Sequence, residues 1–89
     1  MNFEFDLDKS KANKKKHGID FEEAQELWKD ENKFVSEAKF VGELRQLLIG
    51  KIGIKYWTAV FVIRKNVIRI ISVRRARKNE KERYNSRGI

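Results

Sequence analysis

The segment that decides the fold is YWTAVFVIRKNVIRIISV, residues 56–73. It contains two runs rich in β-branched and aromatic side chains, residues 56–64 and 67–73, with Lys65 and Asn66 between them. Runs of this composition predict two strands. The pair between them predicts a two-residue hairpin loop, although Lys-Asn is a weaker signal than Asn-Gly. An antiparallel hairpin is therefore expected at the centre of the fold.

The two faces of this hairpin differ, because side chains alternate strictly along a strand. The register set by the loop pairs Arg64 with Val67, Ile63 with Ile68 and Val62 with Arg69. One face is apolar, and we expect helices to cover it: Trp57, Ala59, Phe61, Ile63, Ile68 and Ile70. The other face carries two arginines beside a tyrosine and a threonine: Tyr56, Thr58, Val60, Val62, Arg64, Arg69 and Ile71. We predict that this second face binds the substrate.

Further strands are expected earlier in the chain. Alternation of apolar and polar residues predicts strands at 34–38 and 44–49, and residues 3–5 alternate as a short strand does. Gly50 and Gly53 are expected to bracket the turn that leads into the central hairpin. Together these segments predict an antiparallel sheet.

Two helices are predicted before the main strands. The first begins at a side-chain cap, Asp6 or Asp8, and ends at about His17, where Gly18 supplies the left-handed residue that follows many helices. The second carries an apolar stripe that should dock on the core: Phe21, Ala24, Leu27 and Trp28.

The start of that second helix has its own signal. Asp20 and Glu23 have the spacing of a capping box, in which each side chain accepts a hydrogen bond from the other's backbone N–H. Residues 16–18 are therefore expected to form a tight corner between two helices.

A last helix is predicted in the highly charged residues 74–87. Arg77, Glu80 and Tyr84 fall on one of its faces. Its apolar residues are few, so little of it can be anchored in the core, and a partner is expected to help order it. The fold prediction is a single α+β domain over residues 1–89, with an antiparallel sheet, two N-terminal helices and a C-terminal helix.

Composition narrows the class of function. The chain has 89 residues and a formal net charge of +8, which predicts attraction to phosphate backbones or anionic surfaces. It has no cysteine and one histidine, so disulfides and thiolate or imidazole metal clusters are excluded, and we expect no cofactor. No apolar run could span a bilayer and no signal peptide is evident, so the protein is expected in the cytoplasm. A chain this short favours an open face, suited to a polymer, over a deep pocket.

Blocks at both ends of the chain resemble the BrnT family of toxins from bacterial type II toxin–antitoxin modules. The opening block contains Phe3-Glu4-Phe5-Asp6, Lys9, Asn13, Lys16-His17-Gly18 and Phe21-Glu22-Glu23-Ala24. The closing block contains Arg69-Ile70-Ile71-Ser72, Arg74, Ala76, Glu80 and Tyr84. Between them the chain matches only as alternating strands, with Ile49-Gly50 as the one recognisable point. The departures are Leu7 where proline is common, and Ser10 and Val73 where alanine is.

This resemblance implies properties that the composition does not. It implies a RelE-like α+β fold and a ribonuclease activity that arrests growth. It also implies neutralisation by a BrnA-type antitoxin, a ribbon-helix-helix DNA-binding protein that represses the operon. The RNA would be cleaved either free or at the ribosome.

Metal-free RNA cleavage needs a base, an acid and cations around the phosphorus atom. Arginine suits the last role because its planar fork donates two parallel hydrogen bonds and keeps its charge. Arg69 is the first candidate because it interrupts an apolar strand, and Arg64, Arg74 and Arg75 are the others. An exposed arginine of no catalytic importance is the alternative at each position.

His17 is the first candidate for general acid or base, since an unperturbed imidazole titrates near neutral pH. Its alternative role is structural, bonding helix-end carbonyls. Glu80 and Tyr84 could supply further acid–base or positioning groups, or could instead be a salt bridge and a core anchor. The residues expected to contact RNA are Lys16, Arg64, Arg75 and Arg77.

Two other functions remain open from the residues alone. A non-catalytic nucleic-acid-binding module needs only charge and exposed aromatic side chains. An interaction subunit would use the last helix and a sheet edge as one half of a protein complex. No glycine-rich phosphate loop or Ser-His-Asp set supports a nucleotide triphosphatase or an esterase.

Overall fold

The computed structural model describes residues 2–40 and 42–86. The elements in chain order are strand β1 (Asn2–Glu4), helix α1 (Leu7–His17), the 3₁₀ helix η1 (Glu23–Lys29), strands β2 (Phe34–Phe40), β3 (Glu43–Ile52), β4 (Lys55–Arg64) and β5 (Val67–Arg75), and helix α2 (Lys78–Ser86). The chain is α+β, as predicted, and its strands form one sheet in the order β1-β5-β4-β3-β2. No helix among the described residues has the length and apolar character needed to cross a membrane.

The sheet is mixed, so the prediction of a wholly antiparallel sheet is wrong at one strand. β2 to β5 pair antiparallel with their neighbours in sequence, whereas β1 pairs parallel to β5, with Phe3 beside Ile68. Alternation along residues 3–5 predicts a strand but carries no information about its direction relative to a strand more than sixty residues away. Phe5 lies just beyond the end of β1.

The hydrophobic core lies on one face of the sheet, under η1. Its buried members are Ile19, Phe21, Ala24, Leu27, Leu48, Trp57, Ala59, Phe61, Ile68, Ile70 and Val73. Trp28 packs at the edge of this cluster, with its ring edge-on to Phe61 at a centroid distance of 5.1 Å. The predicted helix-covered face is therefore the core face, except at Ile63, which is 51% exposed because it lies near the hairpin end of β4.

The second predicted helix is present, but as a 3₁₀ helix. Phe21, Ala24 and Leu27 are almost completely buried, and they are spaced by three residues. Residues with this spacing line up on one face when there are three residues per turn, so the 3₁₀ helix presents Ala24 and Leu27 to the sheet, and Phe21 packs beside them from the turn just before the helix. The capping box is confirmed: the Asp20 N–H donates to Glu23 Oε1 at 3.0 Å, and the Glu23 N–H donates to Asp20 Oδ1 at 2.7 Å.

Helix α1 begins and ends as predicted but docks through polar side chains. Asp6 caps it by accepting a hydrogen bond from the Lys9 N–H at 3.1 Å, and Gly18 follows it with a φ of 83°. Its buried residues are Ser10 and Asn13. Asn13 Nδ2 donates to the carbonyls of Ile19 and Val73 at 2.8 and 2.9 Å, and Asn13 Oδ1 accepts from the Val73 N–H at 3.3 Å. The amide side chain thus bonds to the outer edge of β5 as a neighbouring strand would.

The β4–β5 hairpin has the predicted register near its loop. Arg64 pairs with Val67 and Val62 with Arg69, and the loop residues Lys65 and Asn66 have φ values of 51° and 65°. Positive φ at both positions is the signature of a type I′ turn, whose twist suits a hairpin.

Farther from the loop, a β-bulge interrupts the strict alternation expected for β5. Phe61 pairs with Ile70, but Val60 pairs with Ser72, so Ile71 is the extra residue. Beyond it, Val73 pairs with Ala59 in the core, and Arg74 lies opposite Thr58 on the other face. The bulge therefore determines which face Arg74 occupies.

The predicted turn between two glycines is shorter than expected. Gly50 lies inside β3, paired with Trp57, and the turn consists of Gly53 and Ile54. A Cβ atom at Gly50 would lie 3.2 Å from Cδ2 of Leu27, so Gly50 is required for the close approach of η1.

Candidate active site

The sheet face opposite the core is partly covered by α2, and we call it the α2 face. On the two central strands it carries Thr58, Val60, Val62 and Arg64 of β4 and Arg69, Ser72 and Arg74 of β5. This is the face that the sequence predicted for the substrate, extended by Arg74 because of the bulge. It presents a row of three arginines along one hairpin.

Arg74 and Glu80 form the closest ion pair on this face. Arg74 Nη1 lies 2.8 Å from Glu80 Oε1, and Nη2 lies 2.9 Å from Oε2, so the pair is bidentate. The side chains are 25% and 10% exposed, respectively. The carboxylate holds the plane and direction of the guanidinium, which also has N–H groups left for another ligand.

Glu80 has further partners. Its Oε1 accepts hydrogen bonds from the hydroxyl of Thr58 at 2.9 Å and from the backbone N–H of Arg77 at 2.8 Å. Burial opposes the ionisation of Glu80, but the bonds from Arg74, Arg77 and Thr58 outweigh it and lower its pKa to about 2. The carboxylate is therefore ionised at neutral pH, with both oxygens engaged.

Thr58 is a functional residue that sequence reasoning missed. It was placed on the correct face, but nothing in the sequence indicated that its hydroxyl would meet residue 80. Its side chain is completely buried, and its hydroxyl donates a hydrogen bond that joins β4 to Glu80. A polar residue in an otherwise apolar run was the only available signal.

Arg69 and Arg64 lie farther along the same face. Arg69 forms a loose ion pair with Glu4 of β1, with Nη1 and Oε1 3.5 Å apart and both side chains more than a third exposed. Its cross-strand neighbour Val62 is four residues from Thr58, about 13 Å along the strand. The structure therefore does not bring Arg69 into contact with the Arg74–Glu80 pair. Arg64 is still farther from that pair and is exposed beside the hairpin loop.

Tyr84 anchors α2 at the far end of the α2 face. Its hydroxyl donates to Asp30 Oδ2 at 2.8 Å, and its ring stands edge-on to Tyr56 at 5.4 Å. Partial burial raises the pKa of Asp30, but the backbone N–H of Lys51 and the Tyr84 hydroxyl reverse this effect and lower it overall. Asp30 was not predicted as a partner, because its role depends on a docking contact 54 residues away.

His17 and Lys16 lie at the end of α1, beside the edge of β5. His17 is half-buried and Lys16 is exposed. Asn13, one turn earlier, fixes this helix at Val73. Among the described residues, no hydrogen bond joins His17 to Arg69, Arg74, Glu80 or Tyr84.

Arg75 and Arg77 complete the predicted set. The guanidinium carbon of Arg75 lies 5.3 Å from the ring centre of Trp57, and its Nε donates to the Tyr56 carbonyl at 3.3 Å. Arg77 is exposed and contacts Glu80 through its backbone. The structure thus joins Arg74, Arg77 and Glu80 directly and distributes the other predicted residues around them.

This arrangement is a cationic surface that could bind phosphate groups, and on it Glu80 holds one guanidinium, that of Arg74, in a fixed orientation. Within residues 2–40 and 42–86, no three His, Asp or Glu side chains converge as metal ligands would.

The chain was compared with models of protein families. A family model described as "Ribonuclease toxin, BrnT, of type II toxin-antitoxin system" matches residues 5–80. No match was found among curated proteins.

Proposed function

Since the chain belongs to the BrnT family of ribonuclease toxins from type II toxin–antitoxin systems, we propose that it cleaves RNA on the α2 face without a metal ion. The family gives the ribonuclease class, the RNA substrate and an antitoxin partner. The finer elements of the proposal are an endonucleolytic cut, a RelE-like fold over residues 1–89, a cytoplasmic location and a BrnA-type ribbon-helix-helix antitoxin.

The observation that carries this assignment is the orientation of Arg74 by Glu80. In metal-free cleavage the 2′ oxygen attacks phosphorus while its proton passes to a base, and the departing 5′ oxygen receives a proton from an acid. Negative charge grows on the phosphoryl oxygens in between, and a fixed guanidinium stabilises it at little cost of reorganisation. Arg74 is held in this way by a buried carboxylate.

The other residues take roles consistent with their positions. Arg69 and Arg64 continue the row of cations, so the RNA backbone would run along the hairpin, with Arg69 the candidate contact for a phosphate beside the reacting one. Glu80 and Thr58 act as positioning residues for Arg74. Tyr84 positions α2 through Asp30. His17 remains the candidate acid or base, and Lys16, Arg75 and Arg77 the candidate RNA contacts.

Cleavage of a defined RNA by the purified protein in excess chelator tests the proposal. Arg69→Ala, Arg74→Lys and His17→Ala are expected to lower the cleavage rate by about 100-fold or more, the usual effect of removing one transition-state donor or a general acid. Arg74→Lys keeps the charge but not the fork, so it separates geometry from electrostatics. Lys11→Ala, an exposed change on α1, serves as the control.

Each part of the proposal has its own contradicting result. Full activity of Arg74→Lys, or of both Arg69→Ala and His17→Ala, overturns the site assignment. Loss of wild-type cleavage in chelator overturns metal independence. Salt-dependent RNA binding without any product identifies a non-catalytic binding module instead.

The antitoxin is tested in cells. Induction of the toxin alone is expected to stop growth and to degrade RNA, and co-expression of the small protein encoded beside it is expected to prevent both. Growth arrest that persists with the Arg74→Lys variant would show that toxicity does not depend on this site.

A further inference from the structure

Two lysine side chains lie close to the ring of Tyr56, which is two residues before Thr58 on β4. The ammonium of Lys51, from β3, lies 5.0 Å from the centre of the ring, and that of Lys81, from α2, lies 5.6 Å from it. Arg75 does not belong to this group, because its guanidinium packs on Trp57, on the opposite face of the sheet. We call Lys51, Tyr56 and Lys81 the Tyr56 cluster.

These lysines are not neutralised by the protein. Among the described residues, neither ammonium lies within salt-bridge distance of a carboxylate. The carboxylates of Asp30 and Glu80, which lie at this end of the sheet, have other partners. Asp30 accepts from the Tyr84 hydroxyl and the Lys51 N–H, and Glu80 binds Arg74. Like charges gathered at one ring repel each other, so the site favours an anion.

The position of the cluster relates it to the candidate active site. Tyr56 and Thr58 are two residues apart on one strand face, about 7 Å, and Arg74 lies opposite Thr58. A phosphate bound at Arg74 and a second phosphate bound at Tyr56 would therefore be neighbours along one extended RNA chain. Contact with the aromatic ring restrains both lysine side chains, which reduces the entropy lost when they bind an anion.

We propose that the Tyr56 cluster binds a phosphate of single-stranded RNA adjacent to the one held by Arg74. This inference rests on the proposed function, since it takes RNA as the substrate. It goes beyond that function by assigning a second subsite, formed by β3, β4 and α2, that sets the path of the RNA backbone across the α2 face.

The test measures binding apart from cleavage, with a single-stranded RNA oligonucleotide carrying 2′-O-methyl groups that prevent attack by the 2′ oxygen. Lys51→Gln/Lys81→Gln is expected to weaken binding about tenfold and to make the slope of log K against log salt shallower by about 0.7, the contribution of one phosphate of a single strand. Lys9→Gln/Lys11→Gln removes the same charge from exposed positions on α1 and is expected to change binding less than twofold.

Two changes at Tyr56 separate the ring from its hydroxyl. Tyr56→Phe removes only the hydroxyl that bonds to Asn85 at 3.1 Å and should bind as the wild type does. Tyr56→Leu removes the aromatic face and should weaken binding severalfold with an unchanged salt slope, because both lysines remain.

Equal losses in the two double-lysine variants, or wild-type affinity in Lys51→Gln/Lys81→Gln, would overturn the subsite. So would a wild-type protein that does not bind the oligonucleotide. A specific loss of binding in Lys51→Gln/Lys81→Gln, together with an absence of cleavage of ordinary RNA by the wild type, would keep the subsite and reject the ribonuclease assignment.

Discussion

At the scale of single residues, buried polar side chains connect one helix or strand to another through hydrogen bonds. Ser10, Asn13, Thr58 and Glu80 are the buried polar residues of the described chain, and each bonds to a different element or connecting segment. No buried side-chain nitrogen or oxygen among the described residues lacks a partner. Because an unpaired buried polar group costs about 1–3 kcal/mol, these positions should tolerate substitution less well than their surroundings.

Glu80 should make the stability of the protein dependent on pH. Its folded pKa of about 2 lies below its usual value of 4.5, so its contribution is complete above about pH 5 and is lost as the pH falls toward 2. The linked free energy of unfolding is on the order of 3 kcal/mol. Urea unfolding of the wild type and Glu80→Gln from about pH 6 to pH 2.5 should give curves that converge at low pH. Parallel curves would contradict the assignment.

The stability of the protein should be more sensitive to a negative charge at position 13 than to one at position 12. Asn13→Asp replaces the amide that donates to the carbonyls of Ile19 and Val73 with an acceptor, leaving both carbonyls facing a carboxylate. We expect a loss of about 2–4 kcal/mol in the free energy of unfolding. Ala12→Asp adds the same charge at an exposed position and should change it by less than about 0.5 kcal/mol. Equal effects of the two variants in urea unfolding would show that Asn13 does not hold α1.

At the element scale, the hairpin could be predicted near its loop but not beyond it. A two-residue loop fixes the pairing of the residues beside it, so Val62 and Arg69 were matched correctly. The bulge at Ile71 was not placed from the sequence, because the adjacent residues Ile70 and Ile71 are both apolar and a two-residue apolar step does not by itself distinguish an extra residue from a strand buried on both faces. The position of Arg74 on the α2 face therefore emerges only from the structure.

The site was predicted less completely than the fold for a related reason. Local signals identified Asp6, Gly18 and the capping box, whose partners lie within four residues. Thr58 and Asp30 find their partners 22 and 54 residues away, and those pairings depend on how α2 docks. A sequence does not distinguish an exposed polar residue in a strand or loop from one that forms a hydrogen bond with a helix docked over it.

The loop of the β4–β5 hairpin offers an element-scale prediction. Asn66 has a φ of 65°, a conformation that glycine adopts freely and alanine does not. Asn66→Gly should stabilise the protein by up to about 1 kcal/mol, since Xaa-Gly suits a type I′ turn, and Asn66→Ala should destabilise it by about 1 kcal/mol. Opposite shifts in the midpoint of urea unfolding would bear this out. Shifts of the same sign would mean that the loop does not have this conformation in solution.

At the scale of the whole molecule, the main apolar cluster lies on one face of the sheet, whereas the arginines of the hairpin lie on the other face, beside the smaller buried side chains of Ile49, Val60 and Val62. The core is formed by the sheet, η1 and the segment that leads into it, whereas α1 and α2 have buried residues that are exclusively polar. Most of the burial that drives folding therefore belongs to the sheet and η1. The two long helices are attached to this unit by hydrogen bonds and ion pairs.

This separation predicts unequal hydrogen exchange. The amides of β4, whose residues from Trp57 to Val62 are buried, should exchange only through global unfolding. The amides of α2 should exchange faster, through local detachment that breaks the contacts of Glu80, Tyr84 and Asn85. Native-state exchange followed by NMR measures both. Equal protection of β4 and α2 would indicate one cooperative unit.

The contact of Asn13 with Val73 also bears on how copies of the chain could assemble. Strands at the edge of a sheet can recruit further strands, and a sheet open on both sides can grow into a fibre. Here one side ends in the three residues of β1 and in the amide of Asn13, while β2 (Phe34–Phe40) has no strand beyond it among the described residues. Pairing of two copies through β2 would consume both open edges around a twofold axis. Association by strand addition should therefore stop at a pair.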